Sequence, residues 1–202
     1  MNAAASTVFV VDDDGSTREL LAYLMKRNSL PVEVFADAAG FLAAYRGDRP
    51  GCLVLDLNLP GMSGLDLQQY LKGQGVLLPV IFLSGRADVP KAVQAVREGA
   101  IDFIEKPFDY KHVVEVVREC IERDRAARVG RDRKRVVCER LGALTQRERE
   151  VLDLVVGGKM NREIAESLDI SIKTVEAHRA RLMEKLEVGS LAELVQAVVA
   201  AG

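Results

Sequence analysis

The sequence predicts a doubly wound α/β fold with a five-stranded parallel sheet, followed by a small all-α domain of four helices. Up to about residue 108, short apolar runs alternate with amphipathic helical patterns, which is the order of a parallel sheet with helices on both faces. From Leu144 onward, apolar residues recur only at helical spacing. At 202 residues, the chain is long enough for both parts to bury a core.

Five apolar runs are the predicted strands of the sheet. Their apolar character is continuous rather than alternating, which fits strands that are buried on both faces. Residues 16–19, Ser-Thr-Arg-Glu, have the pattern of a capping box and are predicted to open the first helix. The predicted strands are residues 7–11, 32–35, 52–55, 79–83 and 101–104, and further helices are predicted near 38–45, 64–72 and 89–98.

A basic segment separates the two predicted domains. From Lys111 to about Cys138 the pattern is helical and rich in charge, and Gly130 interrupts it. A solvated linker helix explains this composition, and a coiled contact with a second subunit is the alternative. We therefore expect an α/β domain at residues 1–125, a basic helical linker at 126–140 and a helical domain at 141–202.

The composition is that of an ordinary globular protein. Hydrophobic residues make up 49% of the chain and charged residues 29%, and no run of about 18 apolar residues occurs. The N-terminus lacks the basic and apolar regions of a signal peptide, and the three cysteines are widely spaced without a zinc-binding pattern. These features predict a cytoplasmic protein without a membrane partner. Since the net charge is only −2, overall basicity does not support nucleic-acid binding, and any such interpretation must rest on local geometry.

Polar side chains follow four of the predicted strands. Asp12–Asp14 follow the first strand, Asp56 the third, Ser84 the fourth and Lys106 the fifth. Ligands of open α/β sheets bind at these carboxyl ends. Clustered carboxylates repel one another unless a cation joins them, and oxygen ligands of this kind suit Mg²⁺.

This set of groups suits attack of a carboxylate on a phosphoryl group. Mg²⁺ and Lys106 would neutralise the transferring oxygens, Ser84 would donate a hydrogen bond, and an acyl phosphate would form on Asp56. Taken singly, the aspartates are explained as a solvated helix start and the Lys-Pro pair as a loop. Four strand ends in sequence order favour the functional interpretation.

Four segments resemble the receiver domain of two-component response regulators. They are VFVVDDD, LVLDLNLPGMSG, VIFLSGRADVP and GAIDFIEKPF, and the last two are similar to the FixJ-type branch. The resemblance spans residues 6 to about 125 and implies a flavodoxin-like fold. It also implies that Asp56 accepts phosphate from a sensor histidine kinase, with Lys106 as the partner of the phosphate.

The same resemblance implies a metal site and a switch. Ser84 would be the switch hydroxyl, and Phe103 the aromatic residue that follows it, although ordinary packing also explains Phe103. Many receivers have Thr at the position of Ser84, and Gly85 follows it here, so the switch loop is expected to be looser. Asp14 is expected to start a helix. The implied Mg²⁺ ligands are the carboxylates of Asp13 and Asp56, the backbone carbonyl of Asn58, and Asp12 through water.

The C-terminal part has the pattern of a helix-turn-helix. A capping box at residues 145–148 precedes its first helix, and the turn at 169–171 separates the second and third helices. The apolar stripe of the third helix (Ile172, Val175, Leu182 and Leu186) is predicted to pack inward. The opposite face carries the predicted DNA contacts: Arg181 to a guanine edge, Lys173 and Thr174 to phosphates, Ala177 for close approach, and Glu176 to cytosine or to Arg181.

The sequence LTQREREVLDLVVGGKMNREIAESLDISIKTVEAHRARLMEKL resembles the LuxR/FixJ-type helix-turn-helix, over residues 141–201. That family usually has Ser or Thr where this chain has Met160, which cannot cap a helix, so we expect Asn161 to shift the helix start by one residue. Asn161 and Arg162 are expected to contact phosphates, and His178 to be either packed or a phosphate contact. The resemblance implies a homodimer on inverted half-sites of a double-stranded operator, with RNA polymerase as a further candidate partner.

The sequence therefore predicts a response regulator that controls transcription rather than a turnover enzyme. An aspartyl-phosphate phosphatase of the haloacid-dehalogenase kind is one alternative, but such enzymes need an acid two residues after the nucleophile, and this chain has Asn58 there. The other alternative is a binding protein whose receiver is a vestigial dimer module. Each residue type that the receiver pocket needs is present, which favours the active receiver.

Overall fold

The computed structural model describes residues 5–47, 49–85 and 89–201. Residues 86–88, which belong to the VIFLSGRADVP motif, lie outside the described residues. The chain divides into two compact units, residues 1–127 and 128–202. No helix in the described part of the chain is long and apolar enough to cross a membrane.

The first unit is built on a five-stranded parallel sheet, as the sequence predicts. The strand order is β2-β1-β3-β4-β5, and each neighbouring pair is parallel. Its strands are β1 (Thr7–Val11), β2 (Val32–Phe35), β3 (Gly51–Asp56), β4 (Val80–Ser84) and β5 (Asp102–Glu105), and its helices are α1 (Gly15–Arg27), α2 (Ala38–Ala44), α3 (Gly64–Gly73) and α4 (Val89–Arg97), followed by the start of α5 (Tyr110–Gly142).

Helices cover both faces of this sheet, so that the central strands are fully buried. Every residue of β1, β3 and β4 is buried, which explains their continuous apolar sequences. One face packs α1 and α5 against alternate strand residues, and the other packs α2 and α3. Because β1 lies between β2 and β3, the strand order changes direction beside β1, and the ends of β1 and β3 meet at this point.

The start of α1 differs from the prediction. Asp14, not Ser16, is the N-cap, and its carboxylate accepts hydrogen bonds from the backbone N–H groups of Ser16 and Thr17. The Thr17 hydroxyl also donates to this carboxylate and lowers the pKa of Asp14. The predicted capping box is therefore wrong, since a carboxylate two residues earlier already satisfies the free N–H groups. The expectation that Asp14 starts a helix is confirmed.

Helix α5 continues through Gly130, where the sequence pattern predicts an interruption. Gly130 is exposed, and a glycine inside a helix costs only about 0.5–1 kcal/mol relative to alanine. Ion pairs on the same helix oppose this cost, because Arg135 pairs with Asp132 and with Glu139. A single exposed glycine is thus insufficient to break a helix of 33 residues.

In the part that the structure describes, the second unit has four further helices around one core. They are α6 (Gln146–Val156), α7 (Asn161–Leu168), α8 (Ile172–Leu186) and α9 (Leu191–Ala201). The predicted capping box of α6 is confirmed, because the side chains of Thr145 and Glu148 each accept the other's backbone N–H. The core contains the buried residues Leu144, Val151, Leu152, Val155, Ile164, Ala165, Val175, Leu182, Leu186 and Leu194.

Two local predictions for this unit are wrong. Ile172 is 46% exposed rather than packed inward, because it is the first residue of α8 and lies at the edge of the core. Helix α7 does not start one residue late: Met160 is its N-cap without a side-chain bond, and Asn161 is its first residue. The backbone N–H of Met160 instead donates to the carboxylate of Glu163 at 2.8 Å. A residue in the first turn of α7 thus stabilises the helix start in place of the N-cap side chain.

Candidate functional site

Lys106 joins two carboxylates at the carboxyl edge of the sheet. Its Nζ donates to Oδ2 of Asp12 at 2.7 Å and to Oδ1 of Asp56 at 2.6 Å. Asp12 directly follows β1 and Asp56 ends β3, and both are buried. The backbone N–H of Lys106 donates to the carbonyl of Ser84 at 2.7 Å, which fixes this residue beside the end of β4. The structure thus brings together three of the residues that the sequence singled out.

The charges of this group depend on one another. Burial raises the pKa of Asp12, although the hydrogen bond from Lys106 opposes the shift. Burial also lowers the pKa of Lys106, but its bonds to Asp12 and Asp56 outweigh this, and the net shift is upward. Lys106 therefore remains an ammonium ion at neutral pH, and its charge compensates a buried carboxylate.

Backbone groups orient both carboxylates. The N–H of Asp14 donates to Oδ1 of Asp12 at 3.0 Å, and the N–H of Asn58 donates to Oδ2 of Asp56 at 2.7 Å. Arg18, which the sequence analysis did not single out, donates from Nη1 to the backbone carbonyl of Asp12 at 2.7 Å. The sequence offered one signal for it, a cation at the fourth residue of the helix that follows the acidic strand end.

Glycine is required where α3 begins. A Cβ at Gly64 would lie 2.3 Å from the backbone oxygen of Asp56 and 3.1 Å from the ring of Phe82. The N–H of Gly64 donates to the carbonyl of Leu57 at 3.1 Å. The start of α3 is therefore packed directly on the strand end that carries Asp56, and this close approach explains the glycine in the loop.

The two predicted switch residues lie on the neighbouring strands. Ser84 is buried at the end of β4, and its hydroxyl donates to the carbonyl of Gly85 at 3.2 Å. Phe103 on β5 pairs with Phe82 in register, is half-buried, and packs against the core on the α2 and α3 face. In this structure, ordinary packing against the core therefore accounts for the position of Phe103.

The donor set at this edge suits Mg²⁺. Among the described residues, no three His, Cys, Asp or Glu side chains lie close enough to form a metal site, and Asp13 is exposed. The gathering of three carboxylates that the sequence predicts is therefore not formed here. Asp12 and Asp56 provide two carboxylates, and Mg²⁺ typically binds one or two together with water. The residues present fit the ion, whereas the role of Asp13 as a ligand stays a prediction.

In the second unit, α8 presents a polar face to solvent. Ser171 caps the helix, its hydroxyl accepting the N–H of Thr174 at 3.0 Å and lying 2.8 Å from the Thr174 hydroxyl. His178 is half-buried, and its Nδ1 has no hydrogen-bond partner among the described residues, which fits a packed histidine. The predicted contact residues that are exposed are Lys173, Thr174, Glu176, Ala177 and Arg181.

The start of α7 is tied to α8. Oδ1 of Asn161 accepts a hydrogen bond from Nη1 of Arg179 at 2.8 Å, a contact that the sequence did not predict. Arg162 is exposed and donates to Glu166 at 3.2 Å. Asn161 and Arg162, with Arg179 and Ile172, line a groove of about 550 Å³. Asn161 is thus held in place at the surface where the sequence predicts phosphate contacts.

Comparisons with known families agree with both units. Residues 8–118 match the family described as the response regulator receiver domain. Residues 142–198 match the bacterial regulatory proteins of the luxR family. The two matches follow one another along the chain and cover the sheet unit and the helical unit respectively.

Relatives match over nearly the whole length. The transcriptional regulatory protein TdiR of Thauera aromatica is 43% identical over 96% of this chain and 86% of its own length, and FixJ of Azorhizobium caulinodans is 43% identical over 96% and 92%. The solved structure of the response regulator StyR has a TM-score of 0.89 at 40% identity, covering 97% of this chain and 99% of its own. The chain belongs to the response regulators of two-component systems, with a receiver domain followed by a LuxR-type DNA-binding domain, and it regulates transcription.

Proposed function

We propose that Asp56 accepts a phosphoryl group from the phosphohistidine of a sensor histidine kinase. A carboxylate oxygen of Asp56 forms the new bond to phosphorus as the bond to the histidine nitrogen breaks. Lys106 neutralises the oxygens of the transferring group, since it already contacts Asp56 at 2.6 Å. This contact, shared with Asp12, is the observation that carries the proposal.

Asp12, Asp13, Asp56 and the backbone carbonyl of Asn58 are the groups that would hold Mg²⁺. When bound, the ion supplies positive charge to the phosphoryl oxygens. Burial raises the pKa of Asp12, and an added cation beside this residue would oppose that shift and stabilise the carboxylate. The protein's own part is to orient the two carboxylates through the N–H groups of Asp14 and Asn58.

Phosphorylation would then change the surface around β4 and β5. The hydroxyl of Ser84, which now donates to the carbonyl of Gly85, turns toward the phosphoryl group. The ring of Phe103 then changes rotamer toward the position that this hydroxyl has left. We assign this step to residues 1–125, DNA binding to residues 141–202 and the connection to the basic segment 126–140. Two phosphorylated copies would place two α8 helices on one operator in the cytoplasm, and RNA polymerase would be recruited there.

Phosphorylation of the full chain tests the acceptor. Acetyl phosphate and Mg²⁺ should add one phosphoryl group to the wild type, and hydroxylamine should remove it, as expected for an acyl phosphate. Asp56→Asn should stay unmodified, whereas Asp153→Asn, an exposed acid on α6, should react like the wild type. Equal labelling of Asp56→Asn would show that another residue is the acceptor.

Footprinting on genomic DNA tests the output. Protected sites should appear or strengthen at least about tenfold after treatment with acetyl phosphate in the wild type, which corresponds to about 1.4 kcal/mol. They should not respond in Asp56→Asn. If affinity for the same sites is equal with and without phosphate, the receiver is a vestigial dimer module and the proposed coupling is wrong.

A further inference from the structure

The loop between β1 and α1, which carries the acidic residues, is held at both of its ends. At its start, the N–H of Asp12 donates to the carbonyl of Phe35 on β2 at 3.2 Å. At its end, Asp14 caps α1 and accepts hydrogen bonds from N–H groups of the first turn. Asp13 lies between these two residues and is exposed. The backbone on either side therefore determines where the carboxylate of Asp13 can lie.

Arg18, the fourth residue of α1, reaches back to this loop. Its Nη1 donates to the backbone carbonyl of Asp12 at 2.7 Å, and the residue is half-buried. A Cβ at Gly15 would lie 3.6 Å from Nη2 of Arg18, so the guanidinium group lies close to the start of the helix. The carbonyl that it contacts belongs to the peptide bond that joins Asp12 to Asp13. Arg18 thus holds the backbone directly before Asp13.

The bond from Arg18 to this carbonyl is of the strong kind. Its donor is charged, and charge-assisted hydrogen bonds are shorter and stronger than neutral ones. Without this bond, the carbonyl of Asp12 would turn toward water, and the peptide bond before Asp13 would be free to rotate. Residues that orient the ligands of a metal typically contribute about 10- to 100-fold to its affinity. Loss of the contact should therefore weaken a metal site that uses Asp13.

We propose that Arg18 is a positioning residue for Mg²⁺. It holds the peptide bond between Asp12 and Asp13 so that the carboxylate of Asp13 is oriented for the ion, and it acts through the backbone rather than by contact with the metal. This inference rests on the proposed function, in which Asp13 is a ligand. A purely electrostatic role of Arg18 would have the opposite effect. Because like charges repel, removal of the guanidinium group would then strengthen Mg²⁺ binding.

Titration of the unphosphorylated full chain with Mg²⁺, followed by NMR of backbone amides, tests this role. The wild type should show saturable shifts at Asp13 and Asp14. Arg18→Met removes the donor and keeps an unbranched side chain, and the Kd for Mg²⁺ should rise about 10-fold. The amide of Asp14 donates to Oδ1 of Asp12 at 3.0 Å. In the absence of Mg²⁺, this amide should exchange with solvent faster in Arg18→Met than in the wild type.

Two further variants make the test specific. Arg27→Met removes the same charge from the last turn of α1, where Arg27 is exposed and donates to the hydroxyl of Tyr23. Its Kd for Mg²⁺ should stay within about twofold of the wild type, because solvent screens an exposed charge. Arg18→Lys keeps the charge but replaces the planar fork by a compact ammonium group. Its Kd should lie between those of the wild type and Arg18→Met, and it carries the test if Arg18→Met does not fold.

The rate of phosphorylation by acetyl phosphate gives a second readout. At saturating Mg²⁺ it should be close to wild type in Arg18→Met, whereas the half-maximal rate should need about 10-fold more Mg²⁺. A rate that stays low at saturating Mg²⁺ would assign Arg18 to phosphoryl transfer and overturn the proposal.

The binding data can overturn the proposal in two further ways. It is wrong if a folded Arg18 variant binds Mg²⁺ as tightly as the wild type or more tightly. It is also wrong if Arg27→Met loses as much affinity as Arg18→Met, since the position of the charge would then not matter. These results leave the proposed function intact. If the wild type itself shows no saturable shifts with Mg²⁺, the metal site of the proposed function is wrong, and this inference fails with it.

Discussion

At the scale of single residues, the acidic edge depends on Lys106. Asp12 is fully buried, and burial alone raises the pKa of its carboxyl group. Lys106 is the cation that compensates it, and a quarter of the Lys106 side chain remains exposed. The ammonium group is thus both a structural counter-charge before phosphorylation and a group ready to contact the phosphoryl oxygens afterwards.

Replacement of Lys106 by methionine should destabilise the receiver. The buried carboxylate of Asp12 would lose its counter-charge, and we expect the free energy of unfolding to fall by about 2 kcal/mol, somewhat less than the 3–5 kcal/mol typical of fully buried pairs. Urea unfolding of the full chain, monitored at the receiver, measures this. The double variant Asp12→Asn, Lys106→Met should recover part of the loss. If it is no more stable than Lys106→Met, the pair is not the cause.

At the scale of elements, one ion pair joins two helices of the DNA-binding unit. The carboxylate of Glu148 on α6 accepts a hydrogen bond from Nζ of Lys185 on α8 at 2.7 Å and from the N–H of Thr145 at 2.8 Å. The bond from Lys185 is the main reason that the pKa of Glu148 falls from 4.5 to about 2. A capping residue thus also fixes α8 against α6.

Glu148 should make the stability of this unit depend on pH. Since its pKa is lower in the folded state, its contribution is complete above pH 4.5 and is lost as the pH falls toward 2. Urea unfolding of the full chain at pH 6 and pH 3 should show Glu148→Gln less stable than the wild type at pH 6, with a smaller difference at pH 3. Glu184→Gln, exposed on α8, is the control. A difference that does not shrink on acidification would contradict this account.

The positions of helices and strands were predictable from the sequence. Which of two neighbouring residues caps a helix was not. The strands followed from apolar runs, and their observed bounds differ from the predicted ones by one residue at most at each end. The start of α1 was missed because two residues, Asp14 and Ser16, could cap it, and only the fold decides which one reaches the free N–H groups. Ile172 was misplaced because periodicity does not show where a helix leaves the core.

At the scale of the whole molecule, residues far apart in sequence form the sites. The alternation of strands and helices predicted the sheet, and strand ends in a parallel sheet predicted that Asp12, Asp56 and Lys106 would meet. No local pattern indicated that Arg179 on α8 binds Asn161 on α7. Such contacts depend on how helices and strands pack against one another. A sequence pattern within one helix or strand carries no information about that packing.

On the DNA-binding face of α8, recognition of bases can be separated from attraction to the phosphate backbone of DNA. Lys173 and Arg181 are both exposed on α8, near its start and in its middle. Arg181→Ala should cost about 1–3 kcal/mol at the preferred operator and relax the preference at one base position. Lys173→Ala should weaken binding to all DNA sequences alike. It should also reduce the slope of log K against log salt concentration by about one. Binding of both variants to a randomised operator library at several salt concentrations measures these effects. Lys173→Ala could instead reduce selectivity and leave the salt dependence unchanged. That result would mean that Lys173 contacts bases rather than phosphates, and that α8 lies in the groove differently from this proposal.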